Sequence, residues 1–460
     1  MQRPEFLARF LAHPASRRAL SWDGRWHSFG DLVEMGERAA GGLRHAGVQP
    51  GDRVCIHLEN GLDLVAAHLG CMALGAVRVP LNTHYRAAEL APILEDAAPS
   101  LAVTRTPGWF GAVPTVERLE EGPRVGDWGG QDHDVTGLLF TSGTTGRPKG
   151  VPQSWAMWTG NLDAIQDRWQ LAPDDVLWLT LPLFHTHGLV LGLHHAWLRG
   201  SAIILSPRFD PVDPPPATHF YGVPTYYRRW LPMMQQRPEL FQHYRLLVSG
   251  SDGLPAELSD SVLAATGHRV LERYGMTETM MIASNPYAGM RRAGTVGTPL
   301  AGVEVRIIEG EVQVRGRTIF TGYWPQPDAR AFTDDGYFRT GDAGEWDQAG
   351  YLQIVGRQKE LVIVGGVNVS PAEVERFLDS VPGVAEVGCC GLPDHDLNEV
   401  VVAAVVLDGT AAESSVRAAL EMRAHDLSGL KRPRRYVFVD ALPKNALGKL
   451  QRAKMAKELF

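Results

Sequence analysis

Cysteine is scarce in this chain, with four residues in 460: Cys55, Cys71, Cys389 and Cys390. None belongs to a CxxC pair or to a His/Cys cluster with metal-ligand spacing, and a chain of this length needs no disulfides to hold a core. That excludes a disulfide scaffold and a ribbon-type zinc site, and the four read as reduced thiols in a cytosolic protein. Long apolar runs are missing as well. The longest, such as Val400 to Leu407, fall far short of the ~20 residues a membrane-spanning helix needs. The start, Met1 to Glu5, is not followed by the apolar core of a signal peptide. Neither sign of charge forms long blocks, and the net charge is −7, so a nucleic-acid or membrane-surface protein is not expected. The one basic cluster, Lys431 to Arg435, is local and reads equally as a solvated turn. Repeats of 20–50 residues, the mark of solenoids and propellers, are absent.

What is present is an alternation of short apolar runs with helical patterns. Val54 to Leu58, Val176 to Leu181, Ala202 to Leu205 and Arg245 to Val248 suit buried parallel strands. Leu62 to Leu74 has a helical pattern. Thr106 to Asp134, rich in Gly, Pro and Trp, reads as an irregular connection, and Pro211 to Pro216 as a surface loop. This predicts a large layered α/β body. Near Gly350 the character changes. Strands are expected in hairpin order from Tyr351–Val355 to Leu361–Val364. A helix opened by Ser370 and Pro371 with Glu373 in its first turn follows, then strands at Val384–Gly391 and Val400–Leu407, a helix around Ser414–His425 and a strand at Tyr436–Val439. The expected organisation is an N-terminal domain over 1–358 and a small mobile α+β domain over 359–460.

The most informative stretch runs from Leu139 to Gly150. An apolar strand enters a loop of four hydroxyl residues (Thr141, Ser142, Thr144, Thr145) and three glycines (Gly143, Gly146, Gly150), closed by Lys149. Glycines let backbone N–H groups approach phosphate oxygens, hydroxyls add donors, and lysine adds charge. It is not a Walker A loop, which needs Ser or Thr directly after Gly-Lys. Lys149 sits instead between Pro148 and Gly150, which disfavours a P-loop NTPase or kinase.

TSGTTGRPKG resembles the phosphate-loop signature of the adenylate-forming superfamily of acyl-CoA synthetases, peptide-synthetase adenylation domains and luciferases. Further signatures follow in order: Tyr274 to Glu278 (YGMTE), Tyr337 to Asp342 (YFRTGD), Ile354 to Arg357 with Lys359, Glu360, Gly365 and Gly366, and Pro443 to Lys449 (PKNALGK). The resemblance implies an ATP-dependent acid–thiol ligase with ATP, Mg²⁺ and coenzyme A as its cofactors and a small carboxylic acid as substrate. A carboxylate attacks the α-phosphate, so cations must be in place beforehand. By resemblance Glu278 holds Mg²⁺, and Thr277 contacts the α-phosphate. Thr141 to Gly146 and Lys149 cradle the phosphates, Tyr274 stacks on adenine, and Asp342 accepts both ribose hydroxyls beside Arg357. Lys449 bridges carboxylate and α-phosphate. The small domain then swivels at Lys359, and Gly365 and Gly366 replace Lys449 to line the thiol's path, with Lys431 to Arg435 near the CoA phosphates.

In such enzymes the acyl pocket is lined by Phe184 to Gly188, Gly222 to Thr225 and the following helix, Ser249 to Ser251, and Gly294 to Gly297. Here these segments carry His185, His187 and Ser249, with Arg229 and Arg292 close by. HTHGL, GVPTYYRR, ERYGMTET and RRAGTVG are similar to malonyl-CoA synthetases, which implies that Arg229 and Arg292 bind a distal carboxylate. Asp252 departs from that pattern and would disfavour a dianion unless it faces away. Three alternatives stay open: a short- or medium-chain monocarboxylate ligase, a stand-alone adenylation enzyme that loads a carrier protein, and a nucleotide-binding regulator without catalysis. A homodimer is compatible with the sequence, which does not reveal the oligomeric state.

Overall fold

The computed structural model describes residues 3–141, 147–364, 367–427, 429–445 and 448–460, with the side chains of Lys359, Val367 and Asn368 also outside it. The expected phosphate-loop residues Ser142, Gly143, Thr144, Thr145 and Gly146, and the glycines Gly365 and Gly366, therefore lie outside the described residues. The chain divides into two compact units. One is Met1–Leu254, Leu258–Glu304 and Val314–Phe338; the other is Pro255–Glu257, Val305–Gln313 and Arg339–Phe460.

The first unit is a layered α/β body. A nine-stranded sheet runs in the order Thr298–Pro299, Met280–Ser284, Leu271–Met276, Leu246–Ser249, His219–Gly222, Val176–Leu179, Ala202–Leu205, Arg18–Trp22, Arg25–Ser28. Its six inner strands are parallel, and antiparallel strands flank them. The short apolar runs form these inner strands because both faces are covered; Leu246–Ser249 is buried at every position. A second, six-stranded sheet ends in the antiparallel pair Val135–Thr141 and Lys149–Ser154, which brackets the phosphate loop. The helix Leu62–Leu74 has the bounds its pattern predicts. It lies so close to the helix Phe29–His45 that a methyl group on Gly70 would sit 2.8 Å from the Cβ of Ala39, an approach that only small residues permit.

The second unit holds most of a four-stranded sheet (Val303–Ile308, Glu311–Gly316, Phe338–Trp346, Leu352–Arg357). It also holds a five-stranded one built on the long antiparallel pair Val384–Asp394 and Asn398–Leu407. The helix Pro371–Leu378 starts where expected, with the Ser370 hydroxyl accepting the Glu373 N–H. One expectation is overturned. Leu352–Arg357 and Val362–Val364 do not form a hairpin: the former pairs with Phe338–Trp346, the latter with Val367–Val369 and Asn398–Leu407. The 3₁₀ turn Gln358–Glu360 that joins them has none of the Asn-Gly or Asp-Gly chemistry that closes a tight hairpin. A tight two-residue connection occurs instead at Glu309-Gly310, where both residues are left-handed at φ 50° and 77°.

Several histidines are sealed in the core as neutral rings. His68 and His194 face each other with Nε2 atoms 2.7 Å apart; burial and the charge of Arg78 hold both well below the ordinary imidazole range. Burial, then Arg199, does the same to His195. In the unfolded chain each takes up a proton near pH 6.5, so unfolding binds protons below that pH and the folded state loses stability. Between pH 6.5 and 5, above the carboxylate range, the unfolding free energy from urea titrations should fall by about 1.4 kcal/mol per pH unit for each such histidine, and the midpoint with it, after a flat region above pH 7. A midpoint constant down to pH 5 would contradict this.

Candidate active site

In the first unit, Thr277 and Glu278 sit at the tight turn between the strands Leu271–Met276 and Met280–Ser284. The turn is pinned from three sides. Thr279 N–H bonds the Met276 carbonyl at 3.2 Å, and Gln153, fully buried and held by the Trp158 indole, donates to the Thr277 carbonyl at 3.0 Å. Phe320 N–H bonds the Glu278 carbonyl at 2.9 Å. Met280 is left-handed at φ 56°, a strained state that a non-glycine residue keeps only where its surroundings impose it. The Glu278 carboxylate is buried and accepts the Tyr323 hydroxyl at 3.0 Å. The Lys149 ammonium stands 4.6 Å over the same Tyr323 ring and 3.2 Å from Asp328. Thr141 and Lys149 face each other across the strand pair. Tyr274, on the strand that feeds the turn, is half-buried.

The acyl segments also lie in this unit. His187 is buried, and its Nδ1 is 3.3 Å from the Ser251 hydroxyl. Burial, then Arg273, then His185 hold His187 well below the ordinary range, and burial with Arg273 brings His185 to about 4. Arg273 itself was not singled out in the sequence. It is 6% exposed, and burial pushes its pKa down to about 9. Its guanidinium lies across Gly250, where an added Cβ would fall 2.3 Å from Cζ, so glycine is the residue that leaves it room. Among the described residues, Nε and Nη2 of Arg273, Nε2 of His187 and Oγ of Ser249 have no hydrogen-bond partner. Buried polar groups are nearly always paired, so these orphaned atoms on and beside the acyl segments are compatible with a polar ligand there.

The two expected arginines fare differently. Arg292 is half-buried on a turn held by Asn285 and Glu272, which accept the Arg292 and Gly294 N–H groups. Its neighbour Arg291 is spent on the carbonyls of Pro286, Arg269 and Tyr287. Arg229 is exposed, as is Arg228, and lies over the Phe209 ring at 5.6 Å. Arg229, which the resemblance implied would bind a distal carboxylate, is thus on the outer side of its helix. Tyr227, Trp230 and Met234 are the buried face of this helix, which sets 228 and 229 outward. Asp252 is exposed and accepts its neighbour Gly253's N–H, away from any buried ligand.

In the second unit, Asp342 and Arg357 are direct cross-strand partners, with Arg357 Nε 2.8 Å from a buried Asp342 oxygen. Arg357 also donates to the Thr340 carbonyl at 3.0 Å. Lys359 falls in the 3₁₀ turn Gln358–Glu360. Lys449 is half-buried, at the end of a loop that closes on itself through Asn445. The basic cluster is mostly engaged: Lys431 pairs with Glu373, Arg432 donates to the carbonyls of Leu427 and His425, and Arg435 donates to that of Phe460.

The AMP-binding enzyme model matches residues 7–324, and the AMP-binding enzyme C-terminal domain matches residues 373–449. The chain belongs to the AMP-binding enzyme family. A malonate–CoA ligase of Arabidopsis thaliana is 31% identical over 97% of this chain and 87% of its own length. A long-chain-fatty-acid–CoA ligase of Mycobacterium tuberculosis is 32% identical over 92% and 91%. The crystal structure of ATP-bound MatB from Rhodopseudomonas palustris superposes with a TM-score of 0.89 at 35% identity, over 99% of both chains. The protein is an AMP-forming CoA ligase, an acid–thiol ligase, and its α/β body with a separate small domain is the fold of these enzymes. Overall identity does not select the acid, since relatives with unlike substrates fall in one narrow range.

The ligase has hard oxygen donors where the family implies Mg²⁺. The Glu278 carboxylate and the Thr277 hydroxyl lie on one rigid turn, and Mg²⁺ is commonly held by one or two carboxylates together with substrate phosphates. Among the described residues no group of three or more His, Cys, Asp or Glu forms a metal cage, and no helix is long and apolar enough to cross a membrane. Besides Arg273, sequence reasoning missed Tyr323 and Gln153, which hold Glu278 and Thr277. Neither has a local signal, because each acts on a residue more than forty positions away.

Proposed function

We propose that this ligase activates a small dicarboxylic acid, malonate or methylmalonate first, as an acyl-adenylate and transfers the acyl group to coenzyme A. The observation that carries the reading is the buried guanidinium of Arg273, whose Nε and Nη2 are unpaired among the described residues, beside Gly250 and acting on His185 and His187. One carboxylate of the acid attacks the α-phosphate. The other must leave water, which is unfavourable by several kcal/mol unless a charge receives it. Arg273 offers a fork of donors, with His187 Nε2 and Ser249 Oγ as further polar partners and Arg292 as a second cation. Names of relatives support the same reading, since malonate–CoA ligases and an oxalate–CoA ligase are among the similar proteins.

In the first half-reaction Lys149 and the phosphate loop bind the triphosphate, Tyr274 packs on the adenine, and Asp342 with Arg357 holds the ribose. Glu278 would hold Mg²⁺, which neutralises phosphate charge. Lys449 stabilises the charge that builds as the carboxylate oxygen bonds to phosphorus and pyrophosphate leaves. In the second, a backbone change at Lys359 withdraws Lys449, and the CoA thiol attacks the acyl carbonyl and expels AMP. Acid-dependent ATP–pyrophosphate exchange tests the substrate: malonate and methylmalonate should support it, while butyrate, octanoate and benzoate should not. Faster exchange with any of those three would overturn the dicarboxylate reading.

A further inference from the structure

The loop that carries Lys449 is held mainly by its own bonds. Asn445 N–H bonds the Lys449 carbonyl at 2.8 Å, Lys449 N–H bonds Asn445 Oδ1 at 2.9 Å, and Gln451 N–H bonds the Pro443 carbonyl at 2.8 Å. A self-closed loop keeps its shape but needs anchors to keep its place. On one side Lys444 reaches Glu386 at 2.6 Å. On the other stands Arg452, three residues past Lys449 and the first residue of the helix Arg452–Leu459.

The Arg452 side chain is 15% exposed and ties three other elements of the second unit to its own helix. Nε bonds Glu360 Oε2 at 2.9 Å, in the turn Gln358–Glu360. Nη2 bonds Glu375 Oε2 at 2.9 Å, on the helix Pro371–Leu378, and Nη1 bonds the other oxygen of the same carboxylate. Nη1 also bonds the Cys389 carbonyl at 2.9 Å, and Glu375 in turn accepts the Cys389 N–H at 2.6 Å. Burial works against the arginine's charge, and the Glu375 and Glu360 carboxylates outweigh it, so its pKa is raised.

A semi-buried group of one arginine and two glutamates is a poor source of stability, since a well-packed apolar side chain of similar volume often does as well. What such a group supplies is fixed geometry. Its most telling member is Glu360, the residue directly after Lys359. We infer that Arg452 is a positioning residue for adenylation, a latch that ties the Lys449 loop to the first residue past the swivel. The inference rests on the proposed roles of Lys359 and Lys449. With the latch closed, a change of backbone angle at residue 359 carries Lys449 with it as part of one rigid body. With the latch open, Lys449 keeps its charge but loses its aim, and a displacement of about 1 Å at a reacting group is worth roughly a hundredfold in rate.

Three variants test this against Lys449→Ala, with both half-reactions measured separately. Arg452→Met fills the space without the charge. It should lower acid-dependent pyrophosphate release by about 10–100-fold, while thioester formation from supplied acyl-adenylate stays within about threefold of wild type, a split that a purely structural role would not produce. Glu360→Gln, which leaves the Arg452–Glu375 pair intact, should shift adenylation in the same direction by about 3–10-fold and serves if Arg452→Met fails to fold. The double variant should be no worse than Arg452→Met alone, because both changes open one latch. Equal loss in both half-reactions, or a double variant whose effects simply add, would overturn the latch. If Lys449→Ala itself impairs both halves alike, the role of Lys449 fails, and the latch with it.

Discussion

Replacing Lys449 with alanine should abolish adenylation and spare thioester formation. Acid-dependent pyrophosphate release is expected to fall by about 10²–10³-fold or more, the scale of losing one charge aimed at a transition-state oxyanion. Thioester formation from supplied acyl-adenylate should persist, because no new negative charge needs Lys449 once pyrophosphate has left. The loop around Lys449 is closed by backbone bonds and by Asn445, none of which uses the lysine side chain, so the variant should fold as the wild type does. Rapid-quench measurement of the two half-reactions checks this. A common loss in both would mean that Lys449 acts on the fold or on nucleotide binding at large.

Arg273→Met should invert the acid preference. The expected loss for malonate is about 10²–10³-fold in kcat/KM, as when a buried carboxylate loses its main fork of donors, while propionate should change little or improve. Stability should hold or rise. The native guanidinium is buried with Nε and Nη2 unpaired among the described residues, and removing such a charge relieves a desolvation penalty. A variant that is more stable yet loses its acid is the signature of a residue kept for function. If Arg273→Met instead melts well below wild type and leaves the malonate-to-propionate ratio unchanged, the arginine serves the core.

The sequence made the chemistry legible where function resides in contiguous loops. The phosphate loop, the YGMTE turn, Asp342 with Arg357 and the Lys449 loop are each short contiguous motifs that resemble the family's signatures, and the fold class follows from apolar runs of strand length. What it hid lies in side chains that meet across the fold. Arg273 sits inside the string ERYGMTET, where its neighbours draw the eye. Its signal is Gly250, which leaves room for the guanidinium one strand away, and no spacing rule links the two. Arg229 was misplaced for a simpler reason. Its helix buries Tyr227, Trp230 and Met234, so helical phase alone sets 229 outside. After Gly350 two adjacent apolar runs look like hairpin partners in sequence, but strand pairing is decided by the turn and by competing edges, and each run pairs elsewhere. Arg452 went unremarked because its partners Glu360 and Glu375 lie 92 and 77 positions away.

The central claim is that this ligase selects its acid by a second carboxylate. Propionate and malonate have the same number of carbons and differ only there, so the direct test is competition. With wild-type protein, ATP, CoA and equal concentrations of the two acids in one vessel, initial amounts of the two thioesters give the ratio of their kcat/KM values. The account predicts malonyl thioester in excess by about a hundredfold or more, the scale on which a site built for a polar group rejects a substrate that lacks it. Equal amounts, or an excess of propionyl thioester, would contradict it.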